Sequence, residues 1–298
     1  MAISVEMIKE LRAQTGAGMM ACKNALTETN GDVKKAVEIL RKKGLAGLAK
    51  RAGRTMKEGI VASVKGKDIS LVEFNCETDF VARNPEITAF VKQLASEMTE
   101  GKIQGNPAEN EDVKNRLQEI AMKIGENMAI RRGIVFQASA NAIVESYIHF
   151  DNKKGSLVEL EYEGEASEEA KKEISNLAHE IALQAVAMGP KYLKPEDVPA
   201  EVIAKEKEIY QEKMAKDEEE QKAKMEAKGK TYRAKPADAL EKMLTGKIHK
   251  YYSEVCLLEQ PTLLDPKVSV KQSVENLSKK LGLKMAVKRF VSYLVGVE

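Results

Sequence analysis

Gly16-Ala17-Gly18-Met19-Met20-Ala21 has the G-x-G-x-x-A spacing by which a strand-to-helix turn offers backbone N–H groups to the pyrophosphate of a dinucleotide. That chemistry needs a strand before the glycines and a second strand after them carrying an acid for the ribose. Here helical periodicity lies on both sides. Gly229-Lys230-Thr231 imitates the end of a phosphate loop, yet Lys224 stands where the first glycine belongs and the surroundings are again helical. The chain is therefore expected to bind no nucleotide itself. No Ser or Cys sits in a recognisable nucleophile elbow, and His149, His179 and His249 have no local carboxylate arrangement of the kind that builds a triad. Cys22, Cys76 and Cys256 are far apart and odd in number, which is not a disulfide framework, and neither they nor the scattered histidines have the short spacing of a structural zinc site. These residues point away from an enzyme, a metal and a cofactor.

What remains is the chemistry of contact. The chain has no Trp and only 6 Phe, so each aromatic that falls outside a core stripe asks for an explanation. Phe80 is such a residue, within Glu77-Thr78-Asp79-Phe80-Val81-Ala82, where a strand pattern hands over to a helix pattern. Two readings stand. Phe80 and Val81 tuck under their own connection as satellite core with Asp79 as a turn residue, or Phe80 is an anchor and Asp79 a carboxylate offered to a partner. Met19 and Met20 open a helix, and adjacent positions cannot both face one core, so one of them is expected to be exposed, where its flexible side chain suits a contact surface. Lys23, one turn on, is by default a solvated charge.

The elements that must position these residues follow from periodicity. Ser4 caps a helix with Val5, Ile8 and Leu11 at helical spacing, ended by Thr15-Gly16-Ala17-Gly18. A second helix from Met19 turns Cys22, Ala25 and Leu26 inward and stops at Asn30-Gly31. Asp32 caps a third, with Val33, Ala36, Val37 and Leu40 on its face and Gly44 as its terminator. A basic helical tether over residues 45–58 carries Lys50, Arg51, Arg54 and Lys57. The period then becomes two, with Ile60, Ala62 and Val64, a Lys65-Gly66-Lys67-Asp68 turn, and Val72, Phe74 and Cys76. Asn84 and Pro85 open a helix striped by Ile87, Phe90, Val91, Leu94 and Met98. A further helix over residues 112–126 presents Val113, Leu117, Ile120, Ala121 and Ile124, followed by a strand around residues 134–137.

The hairpin and helix occur twice. Ile60-Val61-Ala62-Ser63-Val64 recurs as Ile143-Val144-Glu145-Ser146-Tyr147, Ser70-Leu71-Val72-Glu73 as Ser156-Leu157-Val158-Glu159, and Leu94-Ala95-Ser96-Glu97-Met98 as Leu177-Ala178-His179-Glu180-Ile181. Only the first copy has an apolar connection; the second reads Glu163-Gly164-Glu165-Ala166-Ser167-Glu168. A connection needed only for folding could have been polar in both copies. From about residue 197 to residue 235 the chain is almost all charge, a solvated helical protrusion or antiparallel coiled coil, along which a helix bearing Leu240, Met243, Leu244, Ile248 and Tyr251 runs back. Val255-Cys256-Leu257-Leu258 reads as a strand returning to the second sheet, and residues 287–295 as a strand-like tail.

The fold class expected is α+β: a three-helix module with its linker (1–55), a first sheet-and-helix subdomain (56–140), a second (141–196, returning at 237–265), a helical protrusion (197–236) and a C-terminal module (266–298). Lys and Arg number 48 against 46 Asp and Glu, so no whole-molecule field favours nucleic acid or an anionic membrane. No apolar run approaches the roughly 20 residues that span a bilayer, and the amphipathic N-terminus is no signal sequence, so a cytoplasmic location is expected.

Four stretches together resemble the bacterial elongation factor Ts family: residues 11–26 around Gly16-Ala17-Gly18-Met19-Met20, residues 75–82 around Thr78-Asp79-Phe80-Val81, Lys123-Ile124-Gly125-Glu126-Asn127, and Gln260-Pro261. The resemblance implies a ubiquitin-associated-like first module, a duplicated core, and a role as guanine nucleotide exchange factor toward the GTPase elongation factor Tu. It further implies that Thr78, Asp79, Phe80 and Val81 disturb the partner's magnesium and nucleotide site, with Met19, Met20, Lys23, Ile124, Gly125 and His149 as other contacts. The segment at residues 216–235 is longer and more charged than that family's usual pattern; a homodimer through this protrusion is a further expectation. The competing reading is an RNA- or ribosome-binding module using Lys50, Arg51, Arg54 and Lys57, whose binding would fall steeply with salt.

Overall fold

The computed structural model describes residues 3–51, 53–229, 231–232 and 235–297. The chain is α+β and divides into two compact units, one of residues 1–140, 144–157 and 292–298, the other of residues 141–143 and 158–291.

The first unit opens with α1 (Val5–Thr15), α2 (Met19–Glu28) and α3 (Val33–Arg51). Ser4 caps α1 by accepting the Met7 N–H at 3.2 Å, and Gly16 closes it in the left-handed region at φ 67°. Leu11, Cys22, Ala25, Leu26 and Ala36 are fully buried among the three helices. Gly44 does not end α3, which continues as one helix through Gly44 and Gly47 to Arg51. The glycine has another use. A Cβ there would lie 3.0 Å from the Met122 sulfur, so Gly44 lets α3 run close to α6 (Glu111–Ile124).

β1 (Glu58–Lys65), β2 (Ile69–Cys76) and β3 (Met128–Phe136) form an antiparallel sheet in that order, and β3 begins well before the stretch the period-two pattern marks. Every residue of β2 is buried. α5 (Pro85–Thr99) lays Ile87, Phe90, Val91, Leu94 and Met98 on the sheet, and α6 adds Val113, Leu117 and Ile120. The connection after β2 is not an open loop but a single helical turn, α4 (Asp79–Ala82).

In the second three-stranded sheet the order is β4 (Ala142–Ile148), β5 (Lys154–Tyr162), β6 (Met285–Leu294). The second unit contains α7 (Glu168–Met188), α8 (Ala200–Glu226), α9 (Ala237–Val255) and α10 (Val270–Leu281). α8 and α9 lie against each other, with the Lys247 ammonium 5.6 Å from the Tyr210 ring centre; Lys230, Arg233 and Ala234 between them lie outside the described residues. The strand expected at residues 255–258 is absent. Val255 ends α9, Cys256 makes an isolated bridge to Tyr192, and Leu257–Glu259 is a 3-10 turn. The third strand of this sheet is instead the strand-like tail, β6. Gln260 is fully buried: its amide donates to the Glu254 carbonyl and its carbonyl accepts from Gln184, whose own carbonyl takes the Leu263 N–H.

The duplication therefore extends to the third strand. Met128-Ala129-Ile130-Arg131-Arg132 on β3 corresponds to Met285-Ala286-Val287-Lys288-Arg289 on β6. Each middle strand holds a buried acid that these cations neutralise. Glu73, 0% exposed, accepts from Arg132 Nε at 2.7 Å with Arg131 Nη1 at 3.4 Å; Glu159 accepts from Arg289 Nε at 2.5 Å and Lys288 Nζ at 3.1 Å. A buried carboxylate without such partners would be driven to protonate. Glu73→Gln keeps the shape and removes the charge, and is expected to lower unfolding free energy by about 2 kcal/mol in urea titration, the scale of a hydrogen bond to an ionised group.

Candidate functional site

Phe80 and Val81 part company. Val81 is 5% exposed and joins the core beneath α4 with Ala82, whereas Phe80 is 83% exposed. Asp79, at the first position of α4, pairs with Arg83 one turn on at 3.3 Å in the open. The turn thus presents an aromatic and a carboxylate to solvent and is held by the residue between Phe80 and Ala82.

What fixes α4 comes from outside it. Thr78 is its N-cap, with Oγ1 accepting the Val81 N–H at 3.5 Å. The backbone N–H of Thr78 donates to Glu126 Oε2 at 3.2 Å, and its hydroxyl lies 3.0 and 3.1 Å from the two oxygens of the same carboxylate. In return Glu77 Oε1 accepts the Asn127 N–H at 2.8 Å, and Glu77 Oε2 meets Arg54 Nη1 at 3.1 Å. Each segment supplies the carboxylate that satisfies the other's backbone. The Asn127 N–H first, and Arg54 after it, hold the Glu77 carboxyl below its usual range. The Arg51 guanidinium donates to the Gly125 carbonyl, and the Asn127 side chain donates to the Arg51 carbonyl. Gly125 adopts φ 84° as the C-cap of α6, which turns the chain toward Thr78 directly after Ile124. Beneath the turn the Cys76 thiol donates to the Thr78 carbonyl at 3.1 Å.

Met19 and Met20 are both exposed, at 50% and 66%, because α2 buries only Cys22, Ala25 and Leu26 and that stripe starts one turn later. Lys23 is exposed on the same helix. The turn leading into α2 lies against the end of α6: a Cβ on Gly16 would meet the Lys123 side chain at 3.1 Å. Ile124 is partly buried against the sheet core. The first module, the Ile124-Gly125 turn and the Thr78 to Val81 turn are thus joined in one unit. His149 belongs to the same unit, in the turn between β4 and β5, where the Asn152 carbonyl accepts the Val61 N–H at 2.6 Å. Its neighbour Phe150 is 88% exposed. The scarcity of phenylalanine outside core stripes is a signal that applies to Phe150 as it does to Phe80.

A family model described as Elongation factor TS matches residues 77–297, starting on Glu77 itself. Proteins named Elongation factor Ts match nearly the whole chain. That of Symbiobacterium thermophilum is 42% identical over 299 residues, covering 99% of this chain and 92% of its own length. Those of Clostridium perfringens and Trichlorobacter lovleyi are each 39% identical, covering 98% and 99% of this chain and 92% and 93% of their own lengths. This chain belongs to the elongation factor Ts family. Its membership places it among translation elongation factors, and among the described residues no helix is long and apolar enough to cross a membrane.

The carboxylate clamp carries a testable consequence. Removing Glu126 strips the Thr78 N–H and hydroxyl of their acceptor while leaving Phe80 in place. Glu126→Ala is expected to cost about 1 to 3 kcal/mol and to speed amide hydrogen exchange selectively across residues 78–82. Unchanged exchange there would show that the clamp does not hold the turn. A second consequence is pH dependence. Burial first, and the Glu126 and Glu58 charges after it, push the Cys76 thiol from 9.0 up to about 12. The unfolded thiol ionises from about pH 8.5 upward while the folded one stays protonated, so its contribution to stability is complete below that pH and is lost as pH rises toward 12. Thermal melts should show the decline in stability above pH 9 to be shallower in Cys76→Ala than in the parent.

Proposed function

We propose that this chain promotes release of GDP from elongation factor Tu by pressing Phe80 into that GTPase, where it displaces groups that hold magnesium and nucleotide. Membership of the elongation factor Ts family implies nucleotide exchange on elongation factor Tu. The observation that supports the finer reading is an aromatic side chain 83% exposed on a turn that is tied down at its N-cap Thr78 and by the burial of Val81.

The mechanism is linkage. An exchange factor must bind the nucleotide-free partner more tightly than the loaded one, and reciprocity then weakens nucleotide binding by the same factor. Accelerating release ten-thousand-fold through such a preference requires roughly 5.5 kcal/mol of differential stabilisation. One aromatic anchor supplies about 2 to 4 kcal/mol. Phe80 accordingly acts with others: Thr78 and Asp79 beside it, Val81 as its internal hold, and Met19, Met20, Lys23, Ile124, Gly125 and His149 as further contacts with the same partner. Self-association through the helical protrusion is part of this reading, with Ile209 and Met243 exposed on α8 and α9. The alternative of an RNA-binding linker is less well supported, because Arg51 and Arg54 are engaged with Gly125 and Glu77.

The test is release of a fluorescent GDP from elongation factor Tu. Phe80→Ala, at a position that adds nothing to the core, should leave the melting temperature unchanged and cut the stimulated rate at saturation by roughly 30-fold or more, the kinetic equivalent of an anchor of this size. A stimulated rate equal to the parent's would remove Phe80 from the mechanism.

A further inference from the structure

We infer that the outward side of α3 is a docking surface for the phosphate backbone of double-helical RNA, held by Lys34, Arg41 and Lys42 with Lys35, Lys43 and Lys50 beside them. The inference is independent of the exchange reading, whose contact residues are on other elements.

Charge in this chain is divided by segment. Residues 1–55 hold 11 Lys and Arg against 5 Asp and Glu, while residues 56–298 hold 37 against 41. The near-neutral total therefore hides a basic module joined to an acidic remainder. Within the module the excess is on α3, where seven cations accompany a single acid, Glu38. The fold then turns those cations outward. Ala36, Leu40 and Gly44, each four residues apart, form the stripe that faces the module core and α6. Lys34 and Arg41, Lys35 and Lys42, and Lys43 and Lys50 are each seven residues apart, so they stand in rows along the other sides of the helix, and all six are exposed. Lys35 pairs with Asp32 at 3.5 Å and Lys43 with Glu28 at 3.1 Å, both in the open, where such pairs are weak and are readily exchanged for a phosphate. Lys34, Arg41 and Lys42 have no acid within ion-pair distance among the described residues.

The pattern selects the partner. From Lys34 to Lys50 the array runs about 24 Å along the helix axis, and over that length one sign of charge is nearly unbroken. The surface of a folded protein intersperses both signs, whereas a nucleic acid carries a negative charge at every phosphate. An anionic membrane is the poorer fit, because a helix lying on lipid needs an apolar face to bury, and α3 has already buried its own in the module with Ala36 and Leu40. α3 has no aromatic side chain on which an unpaired base could stack, so the contact is with the backbone of a duplex and has no sequence preference. RNA is the duplex that a translation elongation factor meets. The surface is distinct from the linker that follows it, where Arg51 and Arg54 are engaged with Gly125 and Glu77.

Fluorescence anisotropy of a labelled mixed-sequence RNA duplex of about 20 base pairs, titrated with the full chain, tests the assignment. Affinity should fall roughly 500-fold between about 50 and 200 mM salt, the dependence expected when about five phosphates are neutralised. Lys34→Gln, Arg41→Gln and Lys42→Gln together should weaken binding at least about 30-fold at the lower salt and flatten the slope of log affinity against log salt by about one per cation, with the parent's melting temperature retained. Lys207→Gln, Lys213→Gln and Lys216→Gln on α8, which change the net charge equally, should leave RNA affinity within about twofold. RNA left unbound by the parent at the lower salt, binding insensitive to salt, or an equal loss in the two triple variants would overturn the inference. Tighter binding to a DNA duplex of the same sequence, or to vesicles of phosphatidylglycerol and phosphatidylcholine, would assign the surface to another polyanion and likewise overturn it.

Discussion

Two carboxylates facing opposite ways across one pair of chain segments hold the exposed turn. Glu126 takes the backbone and hydroxyl protons of Thr78, and Glu77 takes the backbone proton of Asn127. A helix as short as Asp79–Ala82 has no stability of its own, since its nucleus costs more than its few hydrogen bonds return. The clamp and the burial of Val81 supply what is missing, so the direction of Phe80 is set without any contribution from Phe80. The same knot includes Arg51, the last residue of α3, bonded both to Gly125 and to Asn127. Since α3 is also a wall of the first module, the exposed methionines of α2 and the exposed phenylalanine of α4 are referred to one origin.

The sheet beneath depends on a related device. In each copy the middle strand carries a glutamate at a position covered on its face, and the third strand brings two cations to it. Sheet register is ordinarily fixed by which face is apolar, and β2, buried throughout, gives no such guidance. The acid supplies it. Glu73 stands directly opposite Arg132, and a slip of one residue would turn that guanidinium to the other face and strand the carboxylate. In the first sheet Arg132 also lies over the buried Tyr293 ring at 4.3 Å, and burial, against the opposing pull of Arg132, raises that phenol to about 12. A charged pair in the interior adds little net stability compared with apolar packing. Its geometric effect here is to favour the pairing that sets Glu73 opposite Arg132.

Legibility in the sequence followed the range of the interactions. Stripes such as Ile87, Phe90, Val91 and Leu94, and caps such as Ser4 and Asn84, act within a few residues and could be read directly. Gly44 could not, because a glycine that stops a helix and one that admits a neighbouring helix look alike until Met122 is seen beside it. Val255 to Leu258 is a short apolar run, which periodicity cannot divide between strand and helix end. The tail at residues 287–295 was recognisably a strand, but its partner lies more than a hundred residues away, and the five-residue echo of Met128 to Arg132 is too short to announce itself. At the site, the oddity of Phe80 was legible from the polar sister connection. The opposite fates of Phe80 and Val81 were not, since one helical turn has no period to read.

Rigidity around Phe80 also bears on how binding becomes work on a partner. On the exchange reading, any contact made equally well with loaded and nucleotide-free partner raises affinity and releases nothing. Only a contact that conflicts with bound nucleotide shifts the equilibrium, and the conflict can be resolved in two ways: the partner yields, or the intruding side chain retreats. A Phe80 on a pliant loop would retreat, at the small cost of a loop motion. On the clamped turn, retreat means breaking the bonds of Thr78 to Glu126 and of Asn127 to Glu77, or lifting Val81 from the core. The strength of that clamp therefore sets an upper limit on the strain the chain can impose, and on the same reading contacts elsewhere, such as the methionines of α2, serve to keep the partner in place while the strain acts.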